Sequence, residues 1–265
     1  MSAGLFPLAA IDVGNSRVKF AVYDKKVSGT SIPELAPDTF FEFDPRDGGW
    51  ERFASRLETL GTAPAAWWIG SVERRVAARL IELLRDRNLR PISLVTSVDL
   101  PLVVDLPRPD MVGIDRLLGA VAANRLRTAG RPAVVVGMGT AVTVNLIGPD
   151  GAFRGGAILP GIGMSARALH AFTDMLPLID MHALTEPPPA VGDATIPAMT
   201  SGLFWGAVGG VRQLIELFGR HVGGEPEVFL TGGAAPSVAK LFGEKARYEP
   251  TLVLDGIALA ASSKT

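Results

Sequence analysis

The feature that most limits how this chain can fold is a strand–turn–strand unit that occurs twice, the second copy about 125 residues after the first. The early copy is residues 7–13 (PLAAIDV), the turn Gly14-Asn15-Ser16, and residues 17–24 (RVKFAVYD). The later copy is residues 133–136, the turn Gly137-Met138-Gly139, and residues 141–147 (AVTVNLI). Apolar runs joined by so short a turn read as β-hairpins, and in the first copy Gly14 and Asn15 are expected to supply the positive φ angles.

Between and after the hairpins, strands alternate with helices. Residues 50–60 place Phe53, Leu57 and Leu60 on one helical face, and residues 72–88 do the same with Val76, Leu80, Leu83 and Leu84. Residues 65–70 and 91–95 read as short buried strands. The second half continues with a strand at 153–159, helices at 163–175 and 196–219, and a strand and glycine turn at 228–233. Helices at 236–241 and 254–262 complete it. The expectation is an α/β fold of two similar halves whose glycine turns converge on a cleft.

Composition removes whole classes of chemistry. None of the 265 residues is Cys, which excludes disulfides, thiolate metal sites and thiol catalysis. Twenty-six basic residues against 27 acidic ones give a net charge of −1, too little to steer nucleic acid or an anionic membrane. Uncharged stretches such as 202–211 fall short of the ~20 residues that span a bilayer. No basic residue precedes the first apolar run, so a cytoplasmic protein is expected, with neither nucleic acid nor membrane as partner.

The chemistry-bearing residues sit at the turns. Asp12 ends the first strand, where a carboxylate can hold Mg²⁺ through water beside a nucleotide's phosphates, with Asn15, Ser16 and Lys19 adding donors and a charge. The same residues also suit a plain hairpin whose Asp makes an Asx-turn. Gly139 and Thr140 repeat the nest, and Thr231-Gly232-Gly233 offers bare backbone against which an adenosine can lie. Gly113-Ile114-Asp115-Arg116 opens an apolar helix. It supplies either an ordinary charged helix start or a base and a guanidinium for an anionic substrate. The glycine-dense segment 155–163 ends a strand and begins a helix, whose N–H groups could meet a ligand. His170, His182 and His221 lack metal-ligand spacing; Met164, Met175, Met181 and Met199 read as packing, and Trp67 and Trp68 as core or interface.

Seven segments in order, IDVGNSRVKFAV, GIDRLLGAVAA, GTAVTVNLI, GGAILPG, TSGLFWGAVGG, VFLTGG and LVLDGIALAA, resemble the type III pantothenate kinases of the actin and sugar-kinase superfamily. They also resemble the related Bvg accessory factor proteins. The resemblance implies two actin-like (ribonuclease H-like) domains, residues 1–112 and 113–265, with the last helix packing back across the hinge. ATP would lie in the cleft and pantothenate beside it, usually in a homodimer. The implied reaction moves the γ-phosphoryl group of Mg²⁺-ATP to the primary hydroxyl of pantothenate, the first step toward coenzyme A. Carried over by motif, Asp12, Val13, Gly14, Asn15, Ser16, Arg17, Val18 and Lys19 would line the ATP phosphates, with Thr140 also touching ATP. Gly113, Ile114, Asp115, Arg116 and Thr195 would bind pantothenate, and Asp115 would accept the hydroxyl proton.

Two positions depart from the family pattern. Gly137 stands where these kinases usually carry an Asp associated with a monovalent cation, K⁺ or NH₄⁺, and Leu106 stands near a usual aromatic. Three readings stay open: a kinase with reduced or absent cation dependence, a kinase-like regulatory or binding protein without activity, or a kinase for another small alcohol.

Overall fold

The computed structural model describes residues 5–25, 31–61, 63–89, 91–181, 184 and 186–264. The chain divides into two compact units. The first holds the residues up to Val103, Pro107–Leu126 and the C-terminal stretch from Thr251; the second holds Val104–Leu106 and Arg127–Pro250. The sequence expectation set one division, at 112/113. The helix that follows Gly113 and the C-terminal helix both belong to the first unit, with the first sheet.

In the first unit, β1 (Leu8–Val13) and β2 (Val18–Lys25) form the expected antiparallel hairpin. The turn differs from expectation. Gly14 N–H donates to the Arg17 carbonyl at 3.0 Å, and neither Gly14 nor Asn15 has positive φ. Because Val13 pairs with Val18, the loop is four residues long, and such loops are built around turns that need no left-handed residue. Two short strands, β3 (Glu34–Leu35) and β4 (Phe41–Phe43), extend β2. On the other side β5 (Ala66–Ser71) and then β6 (Ile92–Leu94) join β1 in parallel. The sheet order is β3-β2-β1-β5-β6, with β4 also on β2.

Both faces of this sheet are buried, which is why β1 reads as a continuous apolar run rather than an alternating one. Ala9, Ile11, Val13, Trp67 and Ile69 pack on α1 (Gly49–Glu58) and α2 (Arg74–Asp86). Phe20, Phe41, Phe43, Trp50 and Phe53 make this core largely aromatic, with ring centroids 5.2–6.5 Å apart. The Glu73 carboxylate caps α2 by accepting the N–H groups of Arg75 and Val76. Leu8, Ala10, Ala66 and Trp68 face the other way, toward α3 (Ile114–Leu126) and α7 (Leu252–Ser262). The α7 side is tied to β2 by Tyr23, whose hydroxyl donates to the buried Asp255 carboxylate at 2.6 Å; the Thr251 hydroxyl donates to its other oxygen at 3.0 Å.

The second unit repeats the strand plan. Its order is β11-β10-β7-β8-β9, built from β7 (Ala133–Met138), β8 (Ala141–Ile147), β9 (Phe153–Pro160), β10 (Glu227–Thr231) and β11 (Ala246–Tyr248). In both units an antiparallel three-strand meander is followed by two parallel strands, so the repetition visible in the sequence is a repetition of topology. β7 runs on through Gly137 and Met138, which the sequence reading had placed in the turn; the turn is Gly139-Thr140. Val134, Val136, Val142, Val144 and Leu230 pack on α4 (Ile162–Ala171), α5 (Thr195–Val222) and α6 (Ala235–Phe242). α4 stops at Ala171, four residues before the expected Met175. α5 ends at Gly223, whose φ of 69° is the left-handed stop that favours glycine.

Candidate functional site

In the first unit the chemistry gathers where β1, β5 and α3 meet. Asp12 is the penultimate residue of β1, opposite Lys19 on β2 and beside Gly70 on β5. Strand alternation turns it away from Ile11 and Val13, onto the face that carries α3. The start of α3 is brought to the same corner: Val72 N–H donates to the Val13 carbonyl at 3.0 Å, and the Val72 side chain lies against Gly113. Asp12, Lys19, Gly113, Ile114, Asp115 and Arg116 therefore come together from segments about a hundred residues apart in sequence.

The electrostatics of this corner are those of two acids close together. Burial pushes the Asp12 carboxyl up to about 7; Lys19 pulls against that rise and Asp115 adds to it. Burial also raises the Asp115 carboxyl, opposed by the Arg116 backbone N–H, which donates to it at 2.9 Å, and by the Arg116 guanidinium. Burial in turn holds the Arg116 guanidinium below its usual value. A half-buried carboxylate that resists ionisation, beside a lysine and a second acid, gains from a divalent cation and can accept a proton. Asp12 thus fits Mg²⁺ held partly through water. Asn15, Ser16 and Arg17 occupy the hairpin loop, with Asn15 and Arg17 exposed.

In the second unit three glycine-bearing turns share one corner. Gly161 N–H donates to the Thr140 carbonyl and Ala234 N–H to the Met138 carbonyl, each at 3.1 Å. Gly232 is required here: its φ is 99°, and a Cβ would sit 2.6 Å from the Met138 carbonyl oxygen. The helices leaving two of these turns, α4 after Gly161 and α6 after Ala234, have no side chain capping their first N–H groups. Thr140 is half-buried in this corner, and Thr195 is the exposed first residue of α5.

Gly137 offers a monovalent cation no side-chain ligand. It faces Thr143 across the β7–β8 ladder, and a Cβ at Gly137 would lie 2.8 Å from the Thr143 hydroxyl, itself an acceptor for the Asn145 amide at 3.3 Å. The position offers no carboxylate. Among the described residues no group of three or more His, Cys, Asp or Glu side chains could hold a metal ion. Leu106 lies over the backbone of Gly155, which has a φ of 89°. His170 and His221 are exposed, His182 lies outside the described residues, and Trp67 and Trp68 are core. Sequence reasoning passed over Gly70: its place beside Asp12 is a matter of strand register between β1 and β5, which leaves no local signal.

A profile of the family described as type III pantothenate kinase matches residues 8–217. A type III pantothenate kinase from Acidiphilium cryptum is 35% identical over 257 residues, covering 95% of this chain and 92% of its own. Among solved structures, a Baf family transcriptional activator from Campylobacter jejuni superposes with a TM-score of 0.60 at 18% identity, covering 97% and 98% of the two chains. The archaeal actin homolog Ta0583 superposes with a TM-score of 0.51 at 13% identity, covering 97% of this chain and all of the other. At those identities the structures speak for the actin-like two-domain fold.

Proposed function

The chain belongs to the type III pantothenate kinase family and is an ATP-dependent phosphotransferase acting on pantothenate; from that premise we propose that its reaction runs at the Asp12–Asp115 corner. The observation that carries this reading is the convergence of Asp12, Lys19 and Asp115 from distant segments, strong enough that Asp115 raises the proton affinity of Asp12.

In the proposed mechanism the hairpin residues Asp12 to Lys19 bind the triphosphate, Lys19 contributing positive charge. Asp12 would hold Mg²⁺, which when bound neutralises charge on the phosphate oxygens. Gly113, Ile114 and Arg116 would bind pantothenate, the Arg116 guanidinium gripping its carboxylate. Asp115 orients the primary hydroxyl and accepts its proton as the oxygen bonds to the γ-phosphorus and the bond to the β-phosphate oxygen breaks, releasing ADP. Because that transfer is loose, a carboxylate is base enough: it takes the proton late, once the hydroxyl has begun to bond. Gly137 supplies no side-chain oxygen, so residue 137 contributes no carboxylate to a monovalent cation.

The protein is proposed to work in the cytoplasm; among the described residues no helix is long and apolar enough to cross a membrane. A homodimer is also proposed. The second unit leaves Phe172, Met175 and Leu178 largely exposed, and nothing lies within contact distance of a Cβ built at Gly202, Gly206 or Gly209 of α5.

A coupled ADP-release assay with pantothenate, several sugars and no acceptor tests the reading. ADP release that depends on pantothenate supports it. Release with a sugar alone would reassign the acceptor, and binding of an ATP analogue without turnover would favour a regulatory protein on the kinase fold.

A further inference from the structure

Asp12 and Asp115 lie on different elements, β1 and α3, so the side chains that pack α3 on the sheet lie between the two acids' supports. Gly70 is the β5 neighbour of Asp12. A Cβ there would lie 2.7 Å from Leu118 Cδ1 and 3.3 Å from Ile257 Cδ1. Leu118 is one helical turn beyond Asp115 on α3, so the two share a face. Behind Leu118 stands α7: a Cβ at Gly256 would lie 2.1 Å from the Leu118 carbonyl oxygen and 2.6 Å from its carbonyl carbon. Leu118 is thus held from both sides, its side-chain tip against bare Gly70 and its backbone against bare Gly256. It is fully buried, so any change of its rotamer must find room among packed neighbours.

We propose that Gly70 and Leu118 are a matched spacer that sets the position of Asp115 relative to Asp12, making both positioning residues for phosphoryl transfer. The inference rests on the kinase reading of the corner but not on its acceptor. Ordinary carbon–carbon contact is about 3.5–4.0 Å, so a methyl group at residue 70 would have to push the Leu118 tip back by about 1 Å. The Gly256 contact blocks retreat toward α7, so the displacement passes along α3 to its first turn, where Asp115 sits. A misplacement of about 1 Å at a reacting group can cost on the order of 10²-fold in rate.

The test is a volume-conserving cycle. Gly70→Ala adds one carbon and Leu118→Val removes the one it would strike. Expected is a fall in kcat of about 10-fold or more for Gly70→Ala with KM for ATP little changed, a smaller fall for Leu118→Val, which leaves the spacer short against bare Gly70, and recovery toward wild type in the double variant. A folded Gly70→Ala protein with full kcat, or a double variant no better than Gly70→Ala, would overturn the proposal. Crystal structures of the wild type, Gly70→Ala and the double variant give a readout independent of activity. Asp115 should shift in the first variant and return in the second, and an Asp115 that stays in place refutes the spacer even if rates change. Should the wild type fail to phosphorylate pantothenate while these shifts are seen, the acceptor assignment fails and the spacer stands.

Discussion

Replacing Asp115 by Asn separates its chemical role from its structural one. The carboxylate accepts the Arg116 N–H at 2.9 Å, a bond the Asn carbonyl oxygen can also accept, so the first turn of α3 keeps that hydrogen bond. What Asn cannot do is take the hydroxyl proton. General bases contribute about 10²–10⁴-fold, which at 1.36 kcal/mol per decade is about 2.7–5.4 kcal/mol of barrier. Stability moves the other way. Burial raises the Asp115 carboxyl, so ionising it in the native protein is unfavourable relative to the unfolded chain. That penalty is absent at low pH, where the group is protonated in both states, and grows as pH rises above the usual carboxylate range. Removing the charge should therefore leave thermal stability at neutral pH equal or higher. The assay is steady-state ADP release with pantothenate, paired with calorimetric binding of an ATP analogue and a melting curve. The expected outcome is a turnover loss of about 10²-fold or more with ATP affinity and fold retained. Turnover within about tenfold of wild type would remove Asp115 from the base role, and a variant that fails to fold would show that its carboxylate is structural.

Other outcomes follow from the same geometry. Because Asp12 is raised to about 7, metal-free protein should lose stability between about pH 4 and pH 7, where the unfolded chain has released that proton and the folded protein still holds it. Asp12→Asn should flatten this slope in urea titrations, and an unchanged slope would show that Asp12 is not the group responsible. Turnover should be the same in K⁺ as in Na⁺, since Gly137 has no side-chain oxygen; marked activation by K⁺ over Na⁺ would refute the argument from that position. Tyr23→Phe leaves the buried Asp255 carboxylate one donor short and should lower unfolding free energy by about 1.5–3 kcal/mol, read from the denaturant midpoint. A midpoint unchanged by the substitution would mean the Tyr23 bond contributes nothing net.

The elements legible from sequence were those whose signal is local. β1, β2, β7 and β8 announce themselves by apolar runs flanking a turn, and α1 and α2 by spaced apolar residues over one face. β3, β4 and β11 are two or three residues long and exist because a neighbouring strand offers its hydrogen bonds, so no run of residues marks them. The conformation of the first turn was misjudged because Gly and Asn permit positive φ without demanding it; strand register, which lengthened the loop, decided against it. Asp12, Asp115 and Thr140 were visible as residues of the right kind at turns and helix starts. That Asp12 and Asp115 act on each other was not visible, nor was Gly70.

The sequence by itself determined the two-fold repeat of strands, the absence of thiol chemistry, the family, and the lack of a side-chain oxygen at residue 137, because each is a matter of residue identity and short-range spacing. Only the tertiary structure decided that α3 and α7 bury the first sheet, and that Leu118 is held between two glycines. It likewise decided that burial and a neighbouring acid lift Asp12 toward neutrality. Those facts depend on distances between segments far apart in the chain, and desolvation and Coulomb energies are fixed only once such distances exist.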